Sequence, residues 1–321
     1  MNVFERFIKC DIGLLPFNQC STADGIFSYI NWWTDKEPEN IWFTYFFRKY
    51  CNFNKGVNFY SVFGSPIYIK RRVSCEKERK HIFYTAENVS YNAISRRFKR
   101  YGDHLMDYMD LSMGFDYRSD NNYLRFPVWI ITNFSPDSTY ESIKRKINEM
   151  NSPDFSYDSR DITCSMIARH DAKGIRKQIC DSLSTFVEIN YEGAWRNNSQ
   201  VMREKFNNNK MEFLSHVKFN ICPENTNTHG YVTEKIFDSF KSKCIPIYWG
   251  AAGKPESDLI DERAFLYWDG SDSFYNNFDL LLSNKKAYLD FVAQPRFKEG
   301  AEDVVWSYFL SLRDKINEMN K

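Results

Sequence analysis

At 321 residues, 43% hydrophobic and 17% aromatic, the chain carries enough apolar surface for two domains of ordinary size, and global disorder is excluded. Its formal net charge of +1 removes any general electrostatic argument for nucleic acid as a partner. No stretch approaches the roughly 18 consecutive apolar residues of a transmembrane segment, and Met1 to Cys10, with Glu5, Arg6 and Lys9, lacks the apolar core of a secretory signal.

The eight cysteines stand singly at positions 10, 20, 51, 75, 164, 180, 222 and 244, none in a C-x-x-C pair. The five histidines show no paired-ligand spacing, so no metal site is expected. Reduced thiols suit a cytoplasmic protein; peripheral attachment at the inner face of a membrane is the alternative. Two basic runs, Lys70-Arg71-Arg72 and Arg96-Arg97-Phe98-Lys99-Arg100, read first as solvated faces.

Helical and strand signals alternate without an internal repeat, which points to an α/β class. Ile82-Phe83-Tyr84-Thr85 is a β-rich run that ends at Ala86-Glu87-Asn88. The stretch 120–160 is polar and contains Pro127, Pro136 and Pro153, and 148–158 reads as a linker. That sets a first domain at 1–155 and a second at 156–299, with a helix at about 300–321 returning to brace the first. Ile162 to Ala168 is a buried strand, followed by a loop and a helix with Ile175, Ile179, Leu183 and Phe186 on one face. Val217, Phe219 and Ile221 alternate with Lys218 and Asn220, the pattern of a half-buried strand. A loop over Pro223 to Val232 leads to a helix with Ile236, Phe237, Phe240 and Cys244 inward. Ile245-Pro246-Ile247-Tyr248-Trp249-Gly250 is then a short strand closed by glycine. Glu302 to Met319 is helical by period, with Val305, Phe309, Leu312 and Ile316 on one side.

Two strand–loop–helix units in the second half share a cation in the first helical turn, Arg176 in one and Lys235 in the other. The positive end of the helix macrodipole disfavours a cation there by about 0.3–1 kcal/mol. The same free N–H groups together with a cation form an anion site, and two such turns on neighbouring strands would converge on a diphosphate. The competing reading pairs Lys235 with Asp238 or Glu234, and Arg176 with Asp171 or Glu188, as ordinary surface ion pairs. Neither a Walker loop nor a G-x-G-x-x-G is present, so a P-loop ATPase or a nicotinamide enzyme is not supported.

The ordered run Phe219-Asn220-Ile221-Cys222-Pro223-Glu224-Asn225-Thr226, then Gly230-Tyr231-Val232-Thr233-Glu234-Lys235-Ile236, then Ile245-Pro246-Ile247-Tyr248-Trp249-Gly250 resembles the signature of the α-1,3/4-fucosyltransferase family, bacterial type. Ile82 to Asn88, Gly114-Phe115-Asp116, Tyr123-Leu124-Arg125-Phe126-Pro127 and Gly174-Ile175-Arg176 are similar to further family motifs, so the resemblance covers about residues 80 to 255. It implies a GT-B architecture, two Rossmann-like domains facing across a cleft, with the acceptor on the first and GDP-fucose on the second. It implies a single displacement from GDP-β-L-fucose that inverts the anomeric carbon. Position by position, Arg176 and Lys235 resemble the cations on the GDP diphosphate. Asn225, Tyr231 and Glu234 resemble the residues that hold ribose and fucose, and Glu87 resembles the general base.

These implied roles agree with the chemistry. A nucleoside diphosphate leaves without protonation if fixed positive charge meets it, whereas a sugar hydroxyl needs a base to take its proton. Glu234 or Glu224 is available to face positive charge developing on the fucose ring. The expected acceptor is galactosyl-β-1,4-N-acetylglucosamine, fucosylated at the 3-hydroxyl to a Lewis-x type glycan on lipopolysaccharide. Transfer to the 4-hydroxyl, or another GT-B glycosyltransferase with a different acceptor or nucleotide sugar, is the alternative. No cofactor is expected beyond modest stimulation by a divalent cation. Four positions depart from the family pattern: Pro223, Arg169-His170 and Ala86 stand where other members have Phe, Ser-Asn and Gly.

Overall fold

The computed structural model describes residues 3–34, 36–50, 53, 55–152 and 157–320. Of the residues read from sequence, Cys51 and the 153–156 part of the linker lie outside the described residues. The chain divides into two compact units, one of residues 1–139 with 305–321 and one of 140–304.

The first unit is built on a six-stranded sheet in sequence order: β1 (Gln19–Ser21), β2 (Phe27–Ile30), β3 (Val57–Tyr60), β4 (Lys80–Tyr84), β5 (Leu111–Gly114) and β6 (Tyr123–Arg125). β1 runs antiparallel to β2, and every later pair is parallel. The inner strands β2, β3 and β5 are buried at every position, as parallel strands covered on both faces must be. Phenylalanine and tyrosine supply the filling: Tyr29 stacks on Phe59 at 4.9 Å, and Phe43 of the helix Trp42–Tyr50 stacks on Phe59 at 5.6 Å. The helix Ala301–Met319 crosses the division, and Val305, Phe309, Leu312 and Ile316 on its one face are all buried. Phe309 meets the Trp42 ring edge-on at 5.8 Å, so the C-terminal helix covers this unit's aromatic core.

The second unit holds a five-stranded parallel sheet of β7 (Ile162–Ile167), β8 (Ile189–Glu192), β9 (Val217–Ile221), β10 (Ile245–Tyr248) and β11 (Leu266–Tyr267), in the spatial order β11-β10-β9-β7-β8. Pro246 sits within β10, where a proline removes a ladder donor. Among the described residues β11 pairs only with Ile247 and Tyr248, so no described partner on that side needs the missing N–H.

Four sequence expectations change in this unit. The helix Tyr140–Asn151 belongs to it, so the chain divides after Thr139 and not after residue 155. The reason is that Ile143, Ile147 and Met150 form a buried stripe, and the helix end is tied down. The Asn151 Oδ1 accepts the backbone N–H of Arg296 and Phe297, and the Lys243 ammonium reaches the carbonyls of Met150 and Ser152. β9 is central, not half-buried: Asn220 is 4% exposed and donates to the Ser239 hydroxyl at 2.9 Å. The helix that opens at Ile175 ends at Leu183, which leaves Phe186 beyond it, stacked on Tyr275. Cys244 likewise lies beyond its helix, Lys235–Lys241, yet is buried after a left-handed turn at Lys243. Among the described residues no helix is long and apolar enough to cross a membrane.

Candidate functional site

The second sheet reverses its order between β7 and β9: from β7 the chain steps outward to β8 on one side, and from β9 to β10 and β11 on the other. Loops that leave two such strands diverge and open a crevice beyond their carboxyl ends, the usual ligand position in an open α/β sheet. Arg176 follows β7, in the helix Ile175–Leu183, and Lys235 follows β9, as the first residue of the helix Lys235–Lys241. The cations read from sequence therefore flank the switch point.

Lys235 is anchored, and its partner is neither Asp238 nor Glu234. Its ammonium donates to Glu224 Oε2 at 2.8 Å and to the Thr233 hydroxyl at 2.8 Å. Asp238 instead pairs with Lys210 and Lys241. Glu224 is fully buried just past β9, and its backbone N–H donates to the Trp249 carbonyl at 2.8 Å. The Thr233 backbone N–H donates to its Oε1 at 2.7 Å, and the Thr233 hydroxyl to its Oε2 at 2.8 Å. Gly250 lies against the Glu224 side-chain methylenes with φ +139°, and a Cβ there would stand 2.8 Å from Glu224 Cβ, so only glycine fits after β10 here. Burial alone would lower the Lys235 pKa; Glu224, then Glu234, more than offset it and hold the ammonium above its ordinary value.

Arg176 is 7% exposed. Its guanidinium donates to Asn225 Oδ1 at 2.8 Å and to the His170 carbonyl, which ties the two loops together. Its buried Nε–H has no hydrogen-bond partner among the described residues. Burial pulls its pKa down, opposed by Asp171, Glu224 and Tyr231. One expectation is corrected: the first-turn N–H groups are not free. The Asp171 carboxylate accepts the backbone N–H of Arg176 at 3.2 Å and of Lys177 at 2.8 Å. The helix Lys235–Lys241 has only seven residues, so its dipole is small, and the positive charge at the crevice comes from the two side chains.

The other donor-site candidates stand on the same loop. Asn225 is half-buried, and Tyr231 is 1% exposed. Glu234 precedes the Lys235 helix, half-exposed, with no capping bond from its side chain. Glu224 is already engaged by Thr233 and Lys235. The sequence reading offered Glu224, with Glu234, to face charge on the fucose ring and quoted Thr233 only as part of a motif; here Thr233 and Lys235 engage Glu224 instead. A glutamate directly after a buried strand, with Thr-x-Lys following, was the available signal.

Glu87 belongs to the first unit, three residues past the end of β4. The Thr85 hydroxyl accepts the Glu87 N–H at 3.0 Å and donates to the Glu87 carbonyl at 2.7 Å. This closed turn fixes the Glu87 backbone, and its side chain is half-buried.

Comparison with known proteins identifies the family. Residues 27–132 match the α-(1,3)-fucosyltransferase FucT N-terminal domain, and residues 158–300 match glycosyltransferase family 10 (fucosyltransferase), C-terminal. The α-(1,3)-fucosyltransferase FucT of Helicobacter pylori is 28% identical over 304 residues, covering 81% of this chain and 58% of that protein. This chain thus spans under two thirds of that relative. A segment of 56 residues is 41% identical to an α-(1,4)-fucosyltransferase of Arabidopsis thaliana, 16% of this chain and 14% of that one. Among solved structures, an α1,3-fucosyltransferase superposes with a TM-score of 0.60 at 23% identity over 97% of both chains. An α1,3-fucosyltransferase solved with GDP-fucose gives 0.56 at 24% identity over 88% of both. That likeness shows the fold, which is of GT-B type. With one family's two domains matched in order along its length, the chain belongs to the α-1,3/4-fucosyltransferases of glycosyltransferase family 10.

Proposed function

We propose that the protein is an inverting α-1,3-fucosyltransferase that moves L-fucose from GDP-β-L-fucose to the N-acetylglucosamine of an N-acetyllactosamine-type glycan. The observation that carries the donor reading is the buried Arg176 guanidinium, with its Nε–H unpartnered among the described residues, beside the Lys235 ammonium at the β7/β9 switch point. Two fixed cations in a crevice suit a diphosphate, and they meet the charge that grows on the leaving group as the glycosidic bond breaks. Asn225, Tyr231 and Glu234 hold ribose and fucose in this reading, and Glu87 takes the acceptor hydroxyl proton. With the diphosphate charge met by side chains, transfer needs no metal, and a divalent ion stimulates it modestly. A cytoplasmic location is part of the same proposal.

The test is transfer from GDP-fucose to galactosyl-β-1,4-N-acetylglucosamine, with the product linkage read by NMR and a parallel arm in EDTA. An α-1,3 fucoside formed in both arms is expected. Stabilisation by UDP-sugars and not by GDP-fucose would overturn the donor. Complete loss in EDTA, restored by manganese, would overturn the metal-free mechanism. An α-1,4 product would move the reading to the alternative linkage, which the short match to a plant α-(1,4)-fucosyltransferase favours. Glu87→Gln should lower turnover by roughly 10²–10⁴-fold, the usual worth of a positioned base, and leave GDP affinity unchanged.

A further inference from the structure

The carboxyl end of β5 carries a second carboxylate, next to the strand that delivers Glu87. Tyr84 of β4 and Met113 of β5 are register partners, so Glu87 and Asp116 each stand three residues past a matched pair on adjacent parallel strands. Asp116 is held from two sides. The His104 imidazole bonds its Oδ2 through Nε2 at 2.6 Å, and its own backbone N–H donates to the Tyr123 hydroxyl at 3.1 Å. The Ser112 hydroxyl in turn donates to the His104 carbonyl at 2.8 Å. His104 is buried, its side chain 1% exposed, whereas that of Asp116 is 32% exposed. The result is a rigid, buried donor behind a carboxylate that reaches solvent.

This arrangement is unfavourable for the fold on its own terms. His104 and Leu105 both adopt left-handed backbone, φ 51° and 54°, which non-glycine residues avoid. His104 Nδ1 is buried with no hydrogen-bond partner among the described residues. Gly114 is crowded as well: a Cβ there would stand 3.1 to 3.2 Å from Thr85, Tyr123 and His104. Strain and unpaired polar atoms of this kind gather where a site uses them.

We propose that Asp116 is a specificity-determining residue for the acceptor, its carboxylate accepting a hydrogen bond from an acceptor-sugar hydroxyl, with His104 as the positioning residue that aims it. This rests on the fucosyl-transfer reading. Ionised, the carboxylate is an acceptor only, and with Oδ2 engaged by His104 its other oxygen, Oδ1, is the one presented. The hydrogen bond from His104, more than the opposing burial, holds the Asp116 pKa below its ordinary value, with Arg118 and Arg125 adding to it. A carboxylate kept this acidic is a poor proton acceptor but a good hydroxyl holder. Binding thus falls to Asp116 and proton removal to Glu87.

The experiment measures transfer from GDP-fucose to galactosyl-β-1,4-N-acetylglucosamine and to its monodeoxy analogues, for the wild type, Asp116→Asn, His104→Phe and His104→Gln. Asp116→Asn should raise the acceptor KM about ten- to a hundredfold, the worth of a hydrogen bond to a charged group, with kcat and the GDP-fucose KM little changed. One deoxy analogue should be penalised in the wild type and not in Asp116→Asn. His104→Phe should share that loss, and His104→Gln, which keeps an N–H donor, should recover part of it. If Asp116→Asn fails to fold, Asp116→Glu, which moves the charge by one methylene, carries the same deoxy comparison. An unchanged acceptor KM, or the same deoxy pattern in wild type and variant, would reduce the pair to a structural role. Wild-type enzyme that transfers fucose to no acceptor would instead overturn the fucosyl-transfer reading, and this proposal with it.

Discussion

Glu224→Gln is the substitution for which the structure gives the sharpest expectation. Glu224 is fully buried and accepts from the Thr233 N–H, the Thr233 hydroxyl and the Lys235 ammonium. Glutamine keeps one acceptor oxygen for Thr233, but its amide N–H groups would face the ammonium, donor against donor. Removing one partner of a buried ion pair costs about 3–5 kcal/mol because the other charge is left uncompensated. The Lys235 side chain keeps 20% exposure, so water offsets part of that loss, and the low end, about 3 kcal/mol, applies. In a unit of this size, a loss of about 3 kcal/mol lowers Tm by roughly 6–12 °C. Calorimetry at neutral pH should show the fall in the transition of the 140–304 unit. The double variant Glu224→Gln/Lys235→Met removes the stranded charge and should recover at least about half of the loss, the coupling that a double-mutant cycle isolates. If Glu224→Gln melts within about 2 °C of wild type, or if the double variant melts no higher than the single, Glu224 does not anchor Lys235.

Gly250→Ala should destabilise the same unit by at least about 2 kcal/mol, read as a lower urea midpoint, because it adds a strained φ of +139° to a 2.8 Å contact with Glu224. Arg176→Ala should weaken GDP binding by about ten- to a hundredfold in calorimetric titration. Arg176→Lys should not restore it, since an ammonium cannot span Asn225 and a phosphate as the guanidinium fork does. At Asp116 the native pKa lies below the unfolded value of about 3.9. Its contribution to stability is therefore full above about pH 3.9 and is lost as pH falls through the depressed native value. Urea midpoints of wild type and Asp116→Asn should differ at pH 7 and draw together as pH falls below about 3.9.

The strands and the family signature were legible because they are local. The runs at Ile82–Thr85, Ile162–Ala168 and Ile245–Gly250 became β4, β7 and β10 to within two residues, since buried parallel strands write themselves as continuous hydrophobic sequence. The 301–319 helix was legible by its period, and Val305, Phe309, Leu312 and Ile316 are its buried face. The division of the chain was less so. Proline and polarity near 150 suggested a linker, but Ile143, Ile147 and Met150 are buried, and Asn151 at the helix end accepts from Arg296 and Phe297, far away in sequence.

The sequence by itself determined which groups carry charge and in what order they come: Glu87 after one strand, Arg176 after another, Lys235 after a third. Tertiary structure decided what each charge faces. The strand order, with its reversal between β7 and β9, brings Arg176 and Lys235 to one crevice. Folding also gave Lys235 to Glu224 and the first-turn N–H groups of Arg176 and Lys177 to Asp171. A side chain's spacing along the chain fixes its neighbours within a turn or a pleat. Its electrostatic partner is whichever group the sheet order and loop closure bring within hydrogen-bond reach, and no local pattern encodes that.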